Sequence, residues 1–209
     1  MSNKDKIMEA ATELFHFYGY DGTSIDMLIK KAGVSKSNFY YYFEGKEELG
    51  LSVLTKLAEK QVREISEIMQ ADLNPVEQFL TCYKKTFASH HHLFEQPIYP
   101  GSFFGNITLE QSSINEKFRS ILDEYYQECE ALVEKCLRKG VEQGFFHEDL
   151  EPKELARYLV SQFEGAILMT KTKKSLSPIK DVIIQGKKLI LKDEWEHLAD
   201  EWMSLIDQM

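Results

Sequence analysis

The sequence predicts an all-α fold: a small N-terminal three-helix domain, joined by a long helix to a larger helical bundle. Two observations carry this. Apolar residues recur at 3.6-residue spacing along almost the whole chain, and Pro, Gly and Asn fall between the stripes, with no alternating pattern that would indicate a strand. The 209 residues are 43% hydrophobic and 28% charged, enough to bury a real core and to divide into a small and a larger domain. The division falls at residue 50, giving domains 1–50 and 51–209.

In the first segment Ile7, Ala11, Leu14 and Tyr18 form one stripe, closed by Gly19. Ile25, Leu28, Ile29 and Ala32 form the second, with Thr23 and Asp26 in a capping arrangement. Gly33 breaks the pattern, and Ser35 can cap a short third helix with Phe39 and Phe43 on one face. After Glu44-Gly45 a long helix is expected from Lys46 towards Met69, its early acids Glu47 and Glu48 matching the positive end of the helix dipole. Beyond Asn74-Pro75, helices are expected over about 75–90, 103–110 and 113–142; the last carries Ile114, Phe118, Ile121, Leu122, Tyr125, Cys129, Leu132, Val133 and Cys136. Pro152 opens a helix to about Lys171 and Ser177-Pro178 another. A final segment, Glu194 to Met209, presents Trp195, Leu198, Trp202 and Leu205.

Composition removes several classes. No stretch approaches the roughly 18 apolar residues of a membrane span, and the N-terminus has no apolar signal region, so no membrane association and a cytoplasmic location are expected. Cys82, Cys129 and Cys136 fit a reducing compartment, as small apolar core residues; a helical rise of about 10 Å separates the last two. The net charge is −9, and the first fifty residues hold six lysines against eight acids. Any nucleic-acid contact must therefore come from a local arrangement of donors rather than a basic domain.

Such an arrangement lies between Thr23 and Phe43. A helix-turn-helix needs two short helices at a steep angle around a tight turn. Ala32 permits close approach, Gly33 can adopt the left-handed turn conformation, and Val34 plugs the joint. Phe39 and Phe43, four residues apart, would anchor the third helix. Ser37 and Tyr41 then fall on nearly the opposite side, flanked by Asn38, Tyr40 and Tyr42, with Lys36 in the first turn. These side chains can hydrogen-bond phosphates and base edges, and a tyrosine ring can press on a thymine methyl. On the local pattern alone, the tyrosines fit the wet edge of a small bundle equally well.

The segment from Ile7 to about Leu54 resembles the DNA-binding domain of the TetR family of transcriptional regulators. The likeness rests on Ala10-Ala11-x-x-Leu14-Phe15, Gly19-Tyr20-x-Gly22-Thr23-Ser24, Ile29-x-x-Ala32-Gly33-Val34-Ser35-Lys36, Phe39-Tyr40-x-Tyr42-Phe43 and Lys46-Glu47-x-Leu49. The resemblance implies double-stranded operator DNA as partner, contacted by Ser35, Lys36, Ser37, Asn38, Tyr40, Tyr41, Tyr42 and Lys46, with Thr23 or Ser24 on backbone phosphate. It further implies a homodimer, a C-terminal domain that binds a small-molecule effector, and repression relieved by that effector. The dimer interface is expected from about 153–172 and 178–192.

Pro100-Gly101-Ser102-Phe103-Phe104-Gly105-Asn106-Ile107 resembles a motif of one branch of the family in which Gly-Cys-x-x-Gly-Asn-Leu is typical. Ser102 stands at the cysteine position, and a hydroxyl without an activating base is a poor nucleophile, so thiol sensing is not expected there. An effector pocket should be mainly apolar and aromatic. Tyr83, Phe87, Phe104, Tyr125 and Phe163 are the candidates, although the same residues could simply build the core. His90-His91-His92 invites a metal reading, but adjacent helical histidines diverge and no partner ligand sits at suitable spacing, so solvated histidines and no metal are expected. No catalytic constellation and no cofactor motif is present; an enzyme would have no residues to name, and a helical adaptor that binds only protein is the remaining alternative.

Overall fold

The computed structural model describes residues 1–200. Nine helices follow one another within them: α1 (Asn3–Tyr18), α2 (Ile25–Ala32), α3 (Lys36–Tyr42), α4 (Lys46–Gln70), α5 (Pro75–Phe94), α6 (Phe103–Gln111), α7 (Glu116–Glu142), α8 (Pro152–Lys173) and α9 (Ser177–Ile190). A short 3-10 turn, Asp193–Trp195, follows. Trp202, Leu205 and the rest of the expected terminal helix to Met209 lie outside the described residues.

Short polar side chains begin these helices by accepting from amides that have no intrahelical partner. Ser2 and Asp5 form a reciprocal capping box on α1, and Asn74 and Glu77 do the same on α5, where Pro75 takes the first helical position. α2 is capped by Ser24, whose Oγ accepts from the Met27 amide, and not by Thr23 as the spacing to Asp26 suggested. α7 starts later than its apolar stripe implied. The Asn115 side chain accepts from the amides of Lys117 and Phe118, so Ile114 falls in the preceding turn and is 75% exposed.

The compact units do not follow a single cut along the chain. One comprises residues 1–60 with 100–125; the other comprises 61–99 with the residues from 126 onward. In the first unit, α1 contributes Ile7, Ala11, Leu14 and Phe15 to a core completed by Leu28, Phe39, Phe43, Leu49 and Phe118. Gly33 closes α2 at φ 64°, a left-handed conformation that costs an L side chain about 1–2 kcal/mol. Tyr20 packs between Phe15 and Phe118, ring centroids 5.3 and 5.0 Å away.

The second unit has its own core, built from Phe79, Phe87, Leu137, Phe146, Leu159, Ile167, Ile179 and Ile183 among others. Beyond α9, Leu191 pairs with Phe146 in an isolated antiparallel bridge, Trp195 donates its indole N–H to the Gly144 carbonyl, and Ala199 is fully buried. The start of the C-terminal segment is thus part of this core.

Gly50 in α4 lies close against two aromatic rings of the first unit. A Cβ there would fall 2.6 Å from the Tyr20 ring and 2.9 Å from the Phe118 ring. Gly50→Ala is expected to destabilise the protein by about 1–3 kcal/mol through overpacking. A lower midpoint in urea unfolding checks this; an unchanged midpoint would show that the two rings have room to move.

Candidate nucleic-acid interface

Seven residues of α3 decide which groups this unit offers to a partner. Phe39 is 0% exposed and Phe43 2%, so the i, i+4 pair faces the core. On the other side Tyr41 is 79% exposed and Tyr40 47%. Ser35, Lys36 and Ser37 are exposed, whereas Asn38 and Tyr42 are partly buried. The Tyr41 and Tyr42 rings meet edge-on at 4.9 Å, and Phe39 meets Tyr40 at 5.3 Å, which restricts the exposed rings. No acidic residue lies between Ser35 and Phe43. The surface is therefore one of hydroxyls, an amide, a lysine and aromatic faces, within a unit that is acidic overall.

The start of α3 is a connected polar cluster. The Ser35 hydroxyl accepts from the Asn38 amide at 3.2 Å and from Asn38 Nδ2 at 3.3 Å, and lies 2.9 Å from the Ser37 hydroxyl. Asn38 Oδ1 in turn accepts from Asn3 Nδ2, in the first turn of α1, at 2.9 Å. Sequence reasoning did not single out Asn3. It stands 35 positions from Asn38, and no periodicity or spacing links them.

Two residues expected at phosphate have partners within the unit. Thr23 is 1% exposed, and its hydroxyl donates to the Gly19 carbonyl at 2.7 Å, 3.3 Å from the Leu14 carbonyl. It serves the corner between α1 and α2, where a carbonyl at a helix end would otherwise be buried without a partner. Its neighbour Ser24 is the exposed hydroxyl at that corner. Lys46 donates to the Tyr20 carbonyl at 3.0 Å, with its ammonium 4.3 Å from the Tyr20 ring centroid. Its charge is thus engaged by a backbone dipole and an aromatic face. Burial, followed by the nearby Glu47 and Asp21, pushes the Tyr20 hydroxyl up to about 12.

Residues 100–125 brace the same corner. The Glu110 carboxylate accepts from the Asp21 amide at 3.0 Å, and Gln111 Nε2 donates to Asp21 Oδ1 at 2.8 Å. His16 Nε2 lies 2.9 Å from the Gly101 carbonyl; an acceptor-only oxygen requires that this nitrogen carry the proton. Ser102 caps α6 by accepting from the Gly105 amide at 3.0 Å, a structural use of the hydroxyl at the position where the resembling motif has a thiol.

The five aromatic candidates for an effector site form two groups. Phe104 and Tyr125 stack on each other in the first unit, centroids 3.8 Å apart. In the second unit Tyr83 lies 5.7 Å from Phe163, and Phe87 is buried in the same core. His90 belongs with this second group. Contrary to its expected place in solvent, it is 7% exposed, and its Nδ1 is hydrogen-bonded to the Tyr99 hydroxyl at 2.8 Å. The inward face of α5 continues to its last turn, so the first of the three histidines is buried while His92 is exposed, 3.9 Å from Glu95. Among the described residues, no group of three or more His, Cys, Asp or Glu could hold a metal ion, and no helix is long and apolar enough to cross a membrane.

Comparison with known proteins relates the chain to known regulators. Residues 7–53 match the family described as bacterial regulatory proteins, tetR family, and residues 75–185 match the LmrA/YxaF-like transcriptional regulator C-terminal domain. The HTH-type transcriptional repressor DhaR of Mycobacterium sp. (strain GP1) is 29% identical over 84% of this chain and 86% of its own. The HTH-type transcriptional regulator LmrA of Bacillus subtilis (strain 168) is 29% identical over 85% of this chain and 90% of its own. The crystal structure of Escherichia coli NemR in its reduced form superposes with a TM-score of 0.80 at 25% identity, covering 90% of this chain and 96% of that one.

The three cysteines belong to the second unit, and none is disulfide-bonded. Cys136 Sγ donates to the Pro75 carbonyl at 3.5 Å. Burial pushes the Cys82 and Cys136 thiols up to about 12, which leaves almost no thiolate near neutral pH. Iodoacetamide at pH 8 is expected to alkylate the native chain at least about tenfold more slowly than the urea-unfolded chain. Mass spectrometry of timed samples reads the rate; equal rates would overturn this placement of the thiols.

Proposed function

Because this chain belongs to the tetR family of bacterial regulatory proteins, with an LmrA/YxaF-like C-terminal domain, we propose that it is a homodimeric repressor that reads a pseudo-palindromic operator through α3 and leaves it when a small molecule binds. One observation carries the reading: α3 is pinned by two buried phenylalanines and turns an acid-free face of Ser37, Tyr40 and Tyr41 to solvent. In a helix-turn-helix the second helix enters the major groove, where hydroxyl and amide donors meet base edges. Ser24, Ser35, Lys36, Asn38 and Tyr42 surround that face and supply backbone and edge contacts.

A pseudo-palindromic site requires two copies with their α3 helices about 34–36 Å apart. The outward side of α8 supports such pairing. Tyr158, Leu168 and Met169 are exposed, whereas Leu159, Ala166 and Ile167 on the opposite side are in the core, and Leu189 of α9 is exposed as well. Exposed apolar side chains on helices of an otherwise buried bundle fit a second copy of the same surface.

The small molecule would act from the second unit, where Tyr83 packs on Phe163, Phe163 on His90, and His90 is hydrogen-bonded to Tyr99, with Phe87 in the same core. A ligand that favours a conformation unable to bind DNA lowers operator affinity by its own differential binding energy, typically about 1–3 kcal/mol. DNA must weaken ligand binding by the same factor.

In a gel shift with the DNA upstream of its own gene, the wild type is expected to bind with strong salt dependence. Tyr41→Ala should lose roughly 5–150-fold in affinity for that fragment while keeping its weak binding to unrelated DNA. Absence of any shift by the wild type would end the proposal. Leu168→Glu should convert the dimer to a monomer in sedimentation and abolish the specific shift; a dimeric Leu168→Glu would remove α8 from the interface.

A further inference from the structure

We propose that the first turn of α1 is a second DNA-binding element, in which Lys4 holds a backbone phosphate beside the groove that α3 enters. The inference rests on the reading that α3 enters the major groove; it adds a cation outside the helix-turn-helix and gives it the backbone contact expected of Lys46.

A protein that grips a duplex needs cations at the phosphates bordering the groove it reads. Several cations of the first unit are engaged within it. Lys31 pairs with Glu13, Lys117 with Glu47 and Arg119 with Glu116, and Lys46 is held by the carbonyl and ring of Tyr20. Lys4 and Lys36 are exposed and form no ion pair among the described residues. What singles out Lys4 is its place. Asn3 is hydrogen-bonded to Asn38, in the first turn of α3, at 2.9 Å. The Lys4 ammonium lies 5.8 Å from the ring centroid of Phe43, the residue that closes α3. Consecutive residues of α1 therefore meet both ends of the reading helix.

Phe43 is buried and Lys4 is exposed, so the ammonium rests at the edge of the core with solvent on its other side. Lys36 is the first residue of α3, which gives the reading helix one exposed lysine at each end. The seven residues of α3 span about 10 Å, close to the roughly 12 Å width of a major groove, whose two borders are phosphate strands. The acid next to Lys4 does not cancel its charge. Asp5 is turned back on the helix start, where it accepts from the Ser2 amide at 3.0 Å and the Ser2 hydroxyl at 2.7 Å. Those bonds, and next the charge of Lys56 on α4, hold the Asp5 carboxyl below the usual carboxylate range. That carboxylate already occupies the start of the helix, so a phosphate would meet the lysine side chain and not the helix terminus. Glu9, the next acid of α1, lies more than a turn beyond Lys4.

The test is the affinity of the full chain for the DNA upstream of its own gene and for unrelated DNA, measured over a range of salt, with ethylation interference to map the phosphates touched. Lys4→Ala should weaken binding to both DNAs by the same factor, roughly tenfold or more at about 0.1 M salt, and leave their ratio unchanged. The slope of log affinity against log salt should flatten by about 1.8 units, one phosphate for each subunit of a dimer. Interference at one phosphate of each half-site should disappear, and Lys4→Arg should restore it. Lys135→Ala, which removes an exposed lysine from α7 in the second unit, should change neither slope nor interference pattern. Thermal unfolding of each variant monitors the fold separately. If Lys4→Ala keeps the wild-type slope and interference pattern, the inference is overturned while the reading of α3 stands. Equal flattening by Lys135→Ala would assign the effect to overall charge and overturn it as well. If the wild type shifts no DNA, the reading of α3 fails and this inference with it.

Discussion

A helix of seven residues is too short to persist alone in water, so α3 exists because Phe39 and Phe43 are buried. Complete burial of such a side chain is worth about 1.5–3 kcal/mol, comparable with the cost of ordering the few residues around it. The same burial fixes the helix rotation. With positions 39 and 43 inward, positions 37 and 41 are turned outward by helical geometry, and the exposed hydroxyls and rings follow. The exposed face and the structural anchor are two sides of one short segment, and a rotation of α3 would spoil both.

This matters more here than in a basic DNA-binding domain. The chain carries a net charge of −9 and lacks a surplus of lysines in its first fifty residues. The proposed contact with DNA therefore relies on local donor geometry as well as on attraction to phosphate. The bracing of the α1–α2 corner is consistent with that demand. Lys46 is spent on the Tyr20 carbonyl and ring, Thr23 on Gly19, and the side chains of Glu110 and Gln111 on Asp21. Each of these groups holds the backbone next to α2 and α3. Residues 100–125, although remote in sequence, are thereby part of the DNA-reading unit.

The departures from the sequence reading share a cause. Thr23, Lys46 and His90 are amphipathic side chains whose polar atoms can serve solvent, a ligand or a nearby carbonyl. One-dimensional spacing says that such a group sits at a helix boundary, not which way it turns. Thr23 and Ser24 are adjacent hydroxyls at one boundary; only the path of the chain around Gly19 decides that the first is internal and the second caps α2. Asn115, a capping residue overlooked within an apolar stripe, moved the start of α7 and left Ile114 exposed.

The order of the helices, the tight turn at Gly33, the inward phenylalanines and the family could all be read from residue periodicity and local motifs, because these depend on interactions within a few turns of one helix. The pairing of Asn3 with Asn38, the capture of Lys46 by Tyr20, the clamp of α6 on the α1–α2 corner and the burial of His90 against Tyr99 could not. They depend on which atoms meet after distant segments pack, and a hydrogen bond is decided by tenths of an ångström and a direction that no spacing along the chain encodes.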